Sequence, residues 1–315
     1  MTNQKENPYY DCPSIQNITS EKILEILINL LEKRKSLYIK DKENAILKNT
    51  LGNINKNTNL FRIMSFEKLL ESIEKKQFTL VKASNWNKND PLEYNLRNER
   101  ITDENNNTIE FLLLSEQLYG SCFSTKEECT KLWNVFGGKD KKEPYVKIKT
   151  THLKFMNSFY DEKQERSILK FFAGQIYYLN NSDVVNISKE IKKIWENNYK
   201  NNGNIDLAFL HVFPLLIKSK DFTYEEEVRF IFAEQRHPES LLYNFNIDPN
   251  NFFDEIVFSP WVLDTDFEKY KKQLINLGYT GIIKKSNWIF LFSAYIYKFF
   301  RKNIIKLFNR LYIIN

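Results

Sequence analysis

Glycine and proline are scarce in this chain, at 8 each in 315 residues, and cysteine and histidine are scarcer still, at 3 each. The first shortage excludes collagenous, linker-like and disordered classes. The second excludes a disulfide scaffold, because Cys12, Cys122 and Cys129 are odd in number and form no CxxC pair; a reducing compartment is expected, and no zinc site. His152, His211 and His237 are scattered without metal-ligand spacing, so no structural metal is expected. No GxGxxG, Walker A or GxSxG motif occurs, which leaves the common dinucleotide, P-loop and hydrolase folds without support. Met1 to Ser20 is polar and lacks the apolar core of a signal peptide, so a cytoplasmic start is the expectation.

Aromatic residues, by contrast, are abundant, with 25 Phe and 17 Tyr. A chain of this length can bury a substantial core, and one main domain with additions is expected rather than two equal domains. The net charge of +6 is unevenly placed, since seven basic residues and no acid fall between Lys284 and Asn315. The rest of the chain is near neutral, so the high pI implies no nucleic-acid affinity of the main domain. The tail could meet phosphates of RNA or lipid.

Three regions separate by pattern. Residues 1–57 read as a helical N-terminal segment, with Ile23, Leu24, Leu27, Leu30 and Leu31 at helical spacing behind a Ser20 cap and an Asn-rich run after Gly52. Residues 58–286 read as the body. In residues 287–315, the run Trp288 to Tyr297 is apolar, but ten residues are too few to span a bilayer. Beyond it Lys298, Arg301, Lys302, Lys306 and Arg310 oppose Phe299, Phe300, Ile304, Leu307, Phe308 and Leu311. Such a basic amphipathic helix suits an anionic membrane surface, or packing against the body or a second subunit.

In the body, strands are expected at Leu60 to Met64, Phe78 to Val81, Leu118 to Phe123, Tyr145 to Lys149, Phe171 to Tyr178, Glu255 to Phe258 and Gly281 to Lys284. Helices are expected after a Ser65 cap (Phe66, Leu69, Leu70, Ile73), around Glu127 to Phe136, at Val185 to Tyr199 and near Phe267 to Leu277. Leu207 to Ile217 is apolar and fits helix or buried strand. Strands outnumber helices and do not alternate with them one for one, which predicts an α+β domain rather than a doubly wound parallel sheet.

The stretch Thr223 to Phe232 places carboxylates inside what otherwise reads as a buried strand. Val228, Phe230 and Phe232 alternate on one face, so Glu225, Glu227 and Arg229 share the other at the two-residue period. Like charges this close repel, so the pattern is expected where a cleft or a cationic ligand uses it; the alternative is a solvated strand edge with an Arg–Glu pair.

Four blocks in order carry a resemblance: Leu60-Phe61-Arg62-Ile63; Asn85 to Glu93, with its Asn89-Asp90-Pro91-Leu92-Glu93 turn; Ser121-Cys122-Phe123-Ser124 with Leu132 to Gly137; and Lys218 with Tyr224 to Arg229. Together they resemble the bacterial family called domain of unknown function 2971. Where that family usually has Tyr, this chain has Phe136, which removes a phenolic hydroxyl. The layout also resembles the ADP-ribosyltransferase fold, which implies an ADP-ribosyltransferase-like mixed β-sheet body with helical additions at both ends. That resemblance implies NAD as substrate, a protein or nucleic-acid acceptor, and the setting of a toxin or defence effector. It would have Arg62 holding a phosphate or ribose, Ser124 bracing the site, and Phe123, Trp133 or Phe136 stacking on nicotinamide. Glu227 would be the catalytic glutamate and Glu225 would orient or deprotonate the acceptor. Asn89, Asp90, Glu93, Lys218 and Arg229 are further candidates, although Asp before Pro also caps turns and Trp133 and Phe136 also suit a core. An NAD glycohydrolase, with water as acceptor, would use the same Arg62 and Glu227, and a non-enzymatic membrane-associated interaction module is the alternative of another class.

Overall fold

The computed structural model describes residues 49–52, 54–88, 100–102, 108–110, 117–137, 143–159, 171–200, 212–234 and 239–286, with Glu21, Leu24, Glu25, Ile28 and Ile46. The N-terminal helix expected over residues 1–57 lies mostly outside these, and the amphipathic tail over 287–315 wholly so. No helix among the described residues is long and apolar enough to cross a membrane.

Fourteen strands and six α-helices are described. The strands are β1 (Thr50–Leu51), β2 (Asn59–Ser65), β3 (Gln77–Lys82), β4 (Arg100–Thr102), β5 (Thr108–Glu110), β6 (Leu118–Ser124), β7 (Tyr145–Thr151), β8 (Phe171–Gln175), β9 (Tyr177–Leu179), β10 (Ile217–Ser219), β11 (Glu227–Ala233), β12 (Leu242–Asn246), β13 (Glu255–Phe258) and β14 (Ile282–Lys285). The helices are α1 (Phe66–Glu74), α2 (Thr130–Phe136), α3 (His152–Phe159), α4 (Asn181–Lys200), α5 (Pro249–Phe252) and α6 (Asp264–Asn276). Ten strands form one mixed sheet in the order β1-β8-β11-β6-β2-β7-β13-β14, with β3 on β6 and β12 on β3. The β1–β8 and β13–β14 pairs are parallel and the others in this sheet antiparallel. With helices packed on it, this is the α+β class the element pattern predicts.

Strand β11 is central rather than an edge, flanked by β6 and β8 over most of its length. Its two faces enter two cores: Val228, Phe230 and Phe232 join an aromatic cluster with Phe78, Phe123, Phe155 and Phe171, while Ile231 joins Leu118, Phe172 and Leu216. The Phe155 and Phe230 rings are 3.8 Å apart, stacked at 18°. The solvated-edge reading of this strand is therefore excluded, since Glu227 is 4 % and Arg229 1 % exposed.

The sheet divides at β6, and the division positions the site. One end of β6 pairs with β3 at Val81↔Gly120 and Lys82↔Tyr119, whereas β2 meets it only at Phe61↔Ser124 before running along β7. Ser121 to Phe123 thus pair only with β11 among the described residues. Gly120 matters here for close approach: a Cβ on it would lie 2.5 Å from the Trp86 ring and 2.6 Å from the Phe230 carbonyl oxygen. Gly120→Ala is expected to cost about 1–3 kcal/mol by overpacking and to push Trp86 off the sheet. A urea titration followed by tryptophan fluorescence checks this, and an unchanged midpoint would contradict the contact.

Several expectations are corrected. The strand expected over Phe171 to Tyr178 is broken at Ile176 into β8 and β9, and the ambiguous segment ends as a 3-10 turn (Phe213–Leu216) followed by β10. The helix expected from Glu127 begins only at Thr130. Strand β12, helix α3 and the short β1, β4 and β5 have no counterpart among the expected elements.

Candidate active site

The site begins with the turn that leads into β11. Lys220–Glu225 is a 3-10 turn capped by the Ser219 hydroxyl, and Glu226 follows in the left-handed region at φ 40°, ψ 53°. Glu225 is therefore not on the strand with Glu227 and Arg229, as the two-residue period predicts; it ends the turn, and β11 starts at Glu227. A left-handed conformation is uncommon for a non-glycine residue and needs support from its surroundings. Here the Glu226 carboxylate accepts from the Thr125 hydroxyl at 3.1 Å and pairs with Lys126 at 3.2 Å, while its carbonyl accepts from the Thr125 N–H at 3.0 Å. That clasp joins the turn to the loop leaving β6, which carries Ser124.

The two glutamates converge all the same, through a lysine. Lys218 Nζ, from β10, lies 2.7 Å from Glu225 and 3.2 Å from Glu227, and 4.6 Å above the Phe222 ring. Arg229 donates from Nε to Glu227 Oε1 at 2.7 Å and from Nη2 to Oε2 at 3.1 Å, and its third bond goes to the Leu215 carbonyl at 2.6 Å. Its guanidinium also covers the Trp86 ring at 4.9 Å. A carboxylate has roughly four acceptor sites, and Arg229 and Lys218 occupy most of those on Glu227. Its backbone N–H donates to the buried Tyr178 hydroxyl at 2.8 Å.

These contacts drive the two carboxyls apart. Burial alone would raise the pKa of Glu227, but Arg229 and Lys218 outweigh it and hold the group well below the usual carboxylate range. Burial, then the neighbouring Glu227 charge, pushes Glu225 up to about 7, against the pull of Lys218. Burial and the Glu225 charge likewise push the Tyr224 phenol up to about 12. One carboxylate is thus permanently ionised while its neighbour can take or give a proton near neutrality, the separation that marks acid–base sites.

The pair opens into a cavity of about 640 Å³, within the range of small-ligand sites. Its wall includes Arg62, Phe123, Ser124, Trp133, Phe136, Lys218, Glu225, Glu227 and Arg229, so these sequence-predicted residues are brought together. Asn89, Asp90 and Glu93 lie outside the described residues. Five basic side chains line the cavity against three acidic ones, and the carboxylates of Glu226 and Glu128, paired with Lys126 and Lys147, balance that difference.

Individual roles differ from those the resemblance implies. Arg62 bridges the opening between β2 and β6, donating to the Ser121 hydroxyl and, at 3.4 Å, to the Cys122 carbonyl; burial lowers its pKa. Phe123 is 3 % exposed and its ring packs against Phe155 and Phe230 at 5.4 and 5.6 Å, on the core face of the sheet. Trp133, 1 % exposed, donates to Glu128 at 2.5 Å. Both rings are core residues that back the cavity, so neither offers a free face for stacking. Phe136 also suits a core by its spacing, yet it is 41 % exposed at the rim. Ser124 pairs across the strands with both Phe61 and Glu227, and its hydroxyl accepts from the Lys126 N–H at 3.0 Å, which braces the loop.

Of the other lining residues, Trp86 and Tyr224 stand in the resembling blocks without an assigned role, and Phe222 and Lys147 are not singled out by sequence. Lys147 alternates with Val146 and Ile148 and so reads as a solvent-facing strand residue, yet it is buried and paired with Glu128. Among the described residues no group of His, Cys, Asp or Glu is placed to hold a metal ion.

No family model matches the chain, and no curated protein does. Among solved structures, the chain is similar to Thermus sp. 2.9 DarT. The complex with NAD+ is 10 % identical and aligns over 74 % of this chain and 98 % of that one, with a TM-score of 0.32. The complex with carba-NAD+ is 8 % identical over 74 % and 97 %, TM-score 0.32. The complex with ADP-ribosylated ssDNA is 10 % identical over 75 % and 97 %, TM-score 0.33. At such scores the likeness lends no support to any activity, and the reading below rests on the side chains.

Proposed function

We propose that this chain is an ADP-ribosyltransferase-like enzyme that uses NAD to modify a protein or nucleic acid. The observation that carries this reading is the Glu225–Lys218–Glu227 cluster: a carboxyl poised near neutrality beside a locked carboxylate, in a cavity sized for a small ligand. Cleavage of the nicotinamide–ribose bond sends its electron pair to the pyridinium ring and leaves positive charge on the ribose. Fixed negative charge nearby stabilises that state more than the ground state. As the acceptor's nucleophile bonds to the anomeric carbon, its proton passes to Glu225, the carboxylate that can receive it.

The roles are thereby redistributed. Glu227, whose charge is met by Arg229 and Lys218, orients Lys218, and Glu225 is the catalytic carboxyl that faces the developing positive charge. Arg62, on the cavity wall, carries the planar fork of donors that suits the pyrophosphate of NAD.

The test uses NAD labelled in its adenylate half, incubated with the full chain and cell lysate. Label on a macromolecule, with nicotinamide released in equal amount, is the expected result. Nicotinamide with free ADP-ribose alone would make the protein a glycohydrolase, and neither product would overturn the enzymatic reading.

A further inference from the structure

Helix α2 runs along the cavity like a rail. Leu132, Val135 and Phe136, spaced i, i+3, i+4, all line it, so one helix face follows the wall. At the start of the helix Lys131 Nζ sits 3.6 Å over the Tyr224 ring, next to Glu225. Phe136 is five residues further on, about 7.5 Å along the axis at 1.5 Å per residue. The near end of α2 therefore packs on the turn that carries Glu225, and the far end carries the exposed Phe136.

The aromatic rings of the cavity are not equally available. Trp86 lies under Arg229, Phe222 under Lys218 and Tyr224 under Lys131. Phe136 has no such cover among the described residues, and it is exposed where the others are buried or half-buried. A flat heterocycle entering the cavity finds its open aromatic face there.

Building on the NAD reading above, we infer that Phe136 binds the adenine ring of the dinucleotide, and not its nicotinamide. The bond that breaks must sit at Glu225, shielded from water, which places nicotinamide at the inner end. The two riboses and the pyrophosphate then carry the second ring outward along α2, to the exposed end that Phe136 occupies. Stacking on a phenyl ring needs no hydroxyl, so the Phe in place of Tyr loses nothing here.

The test is calorimetric binding to the full chain in a Glu225→Gln background, which slows turnover about 10²–10⁴-fold. Three probes separate the ends of the ligand: NAD, ADP-ribose without nicotinamide, and nicotinamide mononucleotide without adenosine. Phe136→Ala should weaken NAD and ADP-ribose about tenfold and leave nicotinamide mononucleotide within about twofold, and Phe136→Trp should restore binding. Equal losses for all three probes, loss for the mononucleotide alone, or no loss at all would overturn the assignment. If the chain with native Phe136 binds none of the three, the NAD reading itself fails and takes the assignment with it.

Discussion

Glu227→Gln is expected to cost about 3–5 kcal/mol of folding stability, because it leaves the buried Arg229 guanidinium without its carboxylate and Lys218 with Glu225 alone. Arg229 is 1 % exposed and bonds both carboxylate oxygens, and Lys218 leans on one of them. The amide that replaces the carboxylate presents an N–H₂ to a donor wherever it turns. Urea denaturation with circular dichroism measures the loss. The pairing of Glu227 with Arg229 should show in the double variant Glu227→Gln/Arg229→Met, which removes both partners and should regain part of the stability. The pH dependence has a definite sign. A carboxylate held below its ordinary 4.5 contributes stability that is present above that pH and is lost as pH falls through the folded value. A Glu227→Gln protein as stable as the native one would show that the buried pair is not formed.

Glu225→Gln should do the opposite, lowering turnover by about 10²–10⁴-fold while leaving the fold intact or firmer. Loss of the proton acceptor explains the first effect, and transfer to a macromolecule should fall further than hydrolysis of NAD. The second follows from linkage. Between its ordinary 4.5 and about 7, folded Glu225 keeps a proton that the unfolded chain releases, so this group lowers stability as pH rises through that window. The amide abolishes that dependence. The native rate should therefore rise as pH passes about 7 and Glu225 becomes a base, whereas the residual rate of the Glu225→Gln variant should be flat there. Buried His152 works in the reverse sense, since burial lowers it to about 4 and its contribution to stability grows as pH rises from there to 6.5. Removing Glu225 should expose that slope in a pH series of denaturation midpoints. A native-like rate and pH profile in the variant would remove Glu225 from the chemistry.

Much of the body was legible because local signals agreed with the fold. Strand β2, the Ser65 cap with Phe66, Leu69 and Ile73 buried on α1, and strands β6 and β7 stand where periodicity places them. The alternation of Val228, Phe230 and Phe232 against Glu227 and Arg229 holds as well, since a strand has no other way to order its side chains. Where the reading failed, a signal was local but its context was not. Tyr224-Glu225-Glu226 continues the alternation on paper, but Glu226 takes a left-handed turn sustained by Thr125 and Lys126, far earlier in the chain. Strand β12 alternates Tyr243 and Phe245 toward the core with exposed Leu242, Asn244 and Asn246, and it sits at the margin of the sheet, paired only with β3 among the described residues.

The sequence by itself pointed to part of the candidate site, through a Lys, a Glu-x-Glu-x-Arg run and a Cys-Phe-Ser strand, but not to Phe222 or Lys147. Only the tertiary structure decided what each of them does. The pairing of Glu227 with Arg229 and Lys218 against the burial of Glu225 sets which carboxyl holds a proton, and burial arises from strands far apart in sequence. The same holds for the aromatic residues. Phe123, Trp133 and Phe136 are alike in composition, but the packing of β6 and α2 buries the first two and leaves the third at the cavity mouth. Hydrophobicity favours burial for all three, yet a closed core has room only for the rings its backbone geometry admits.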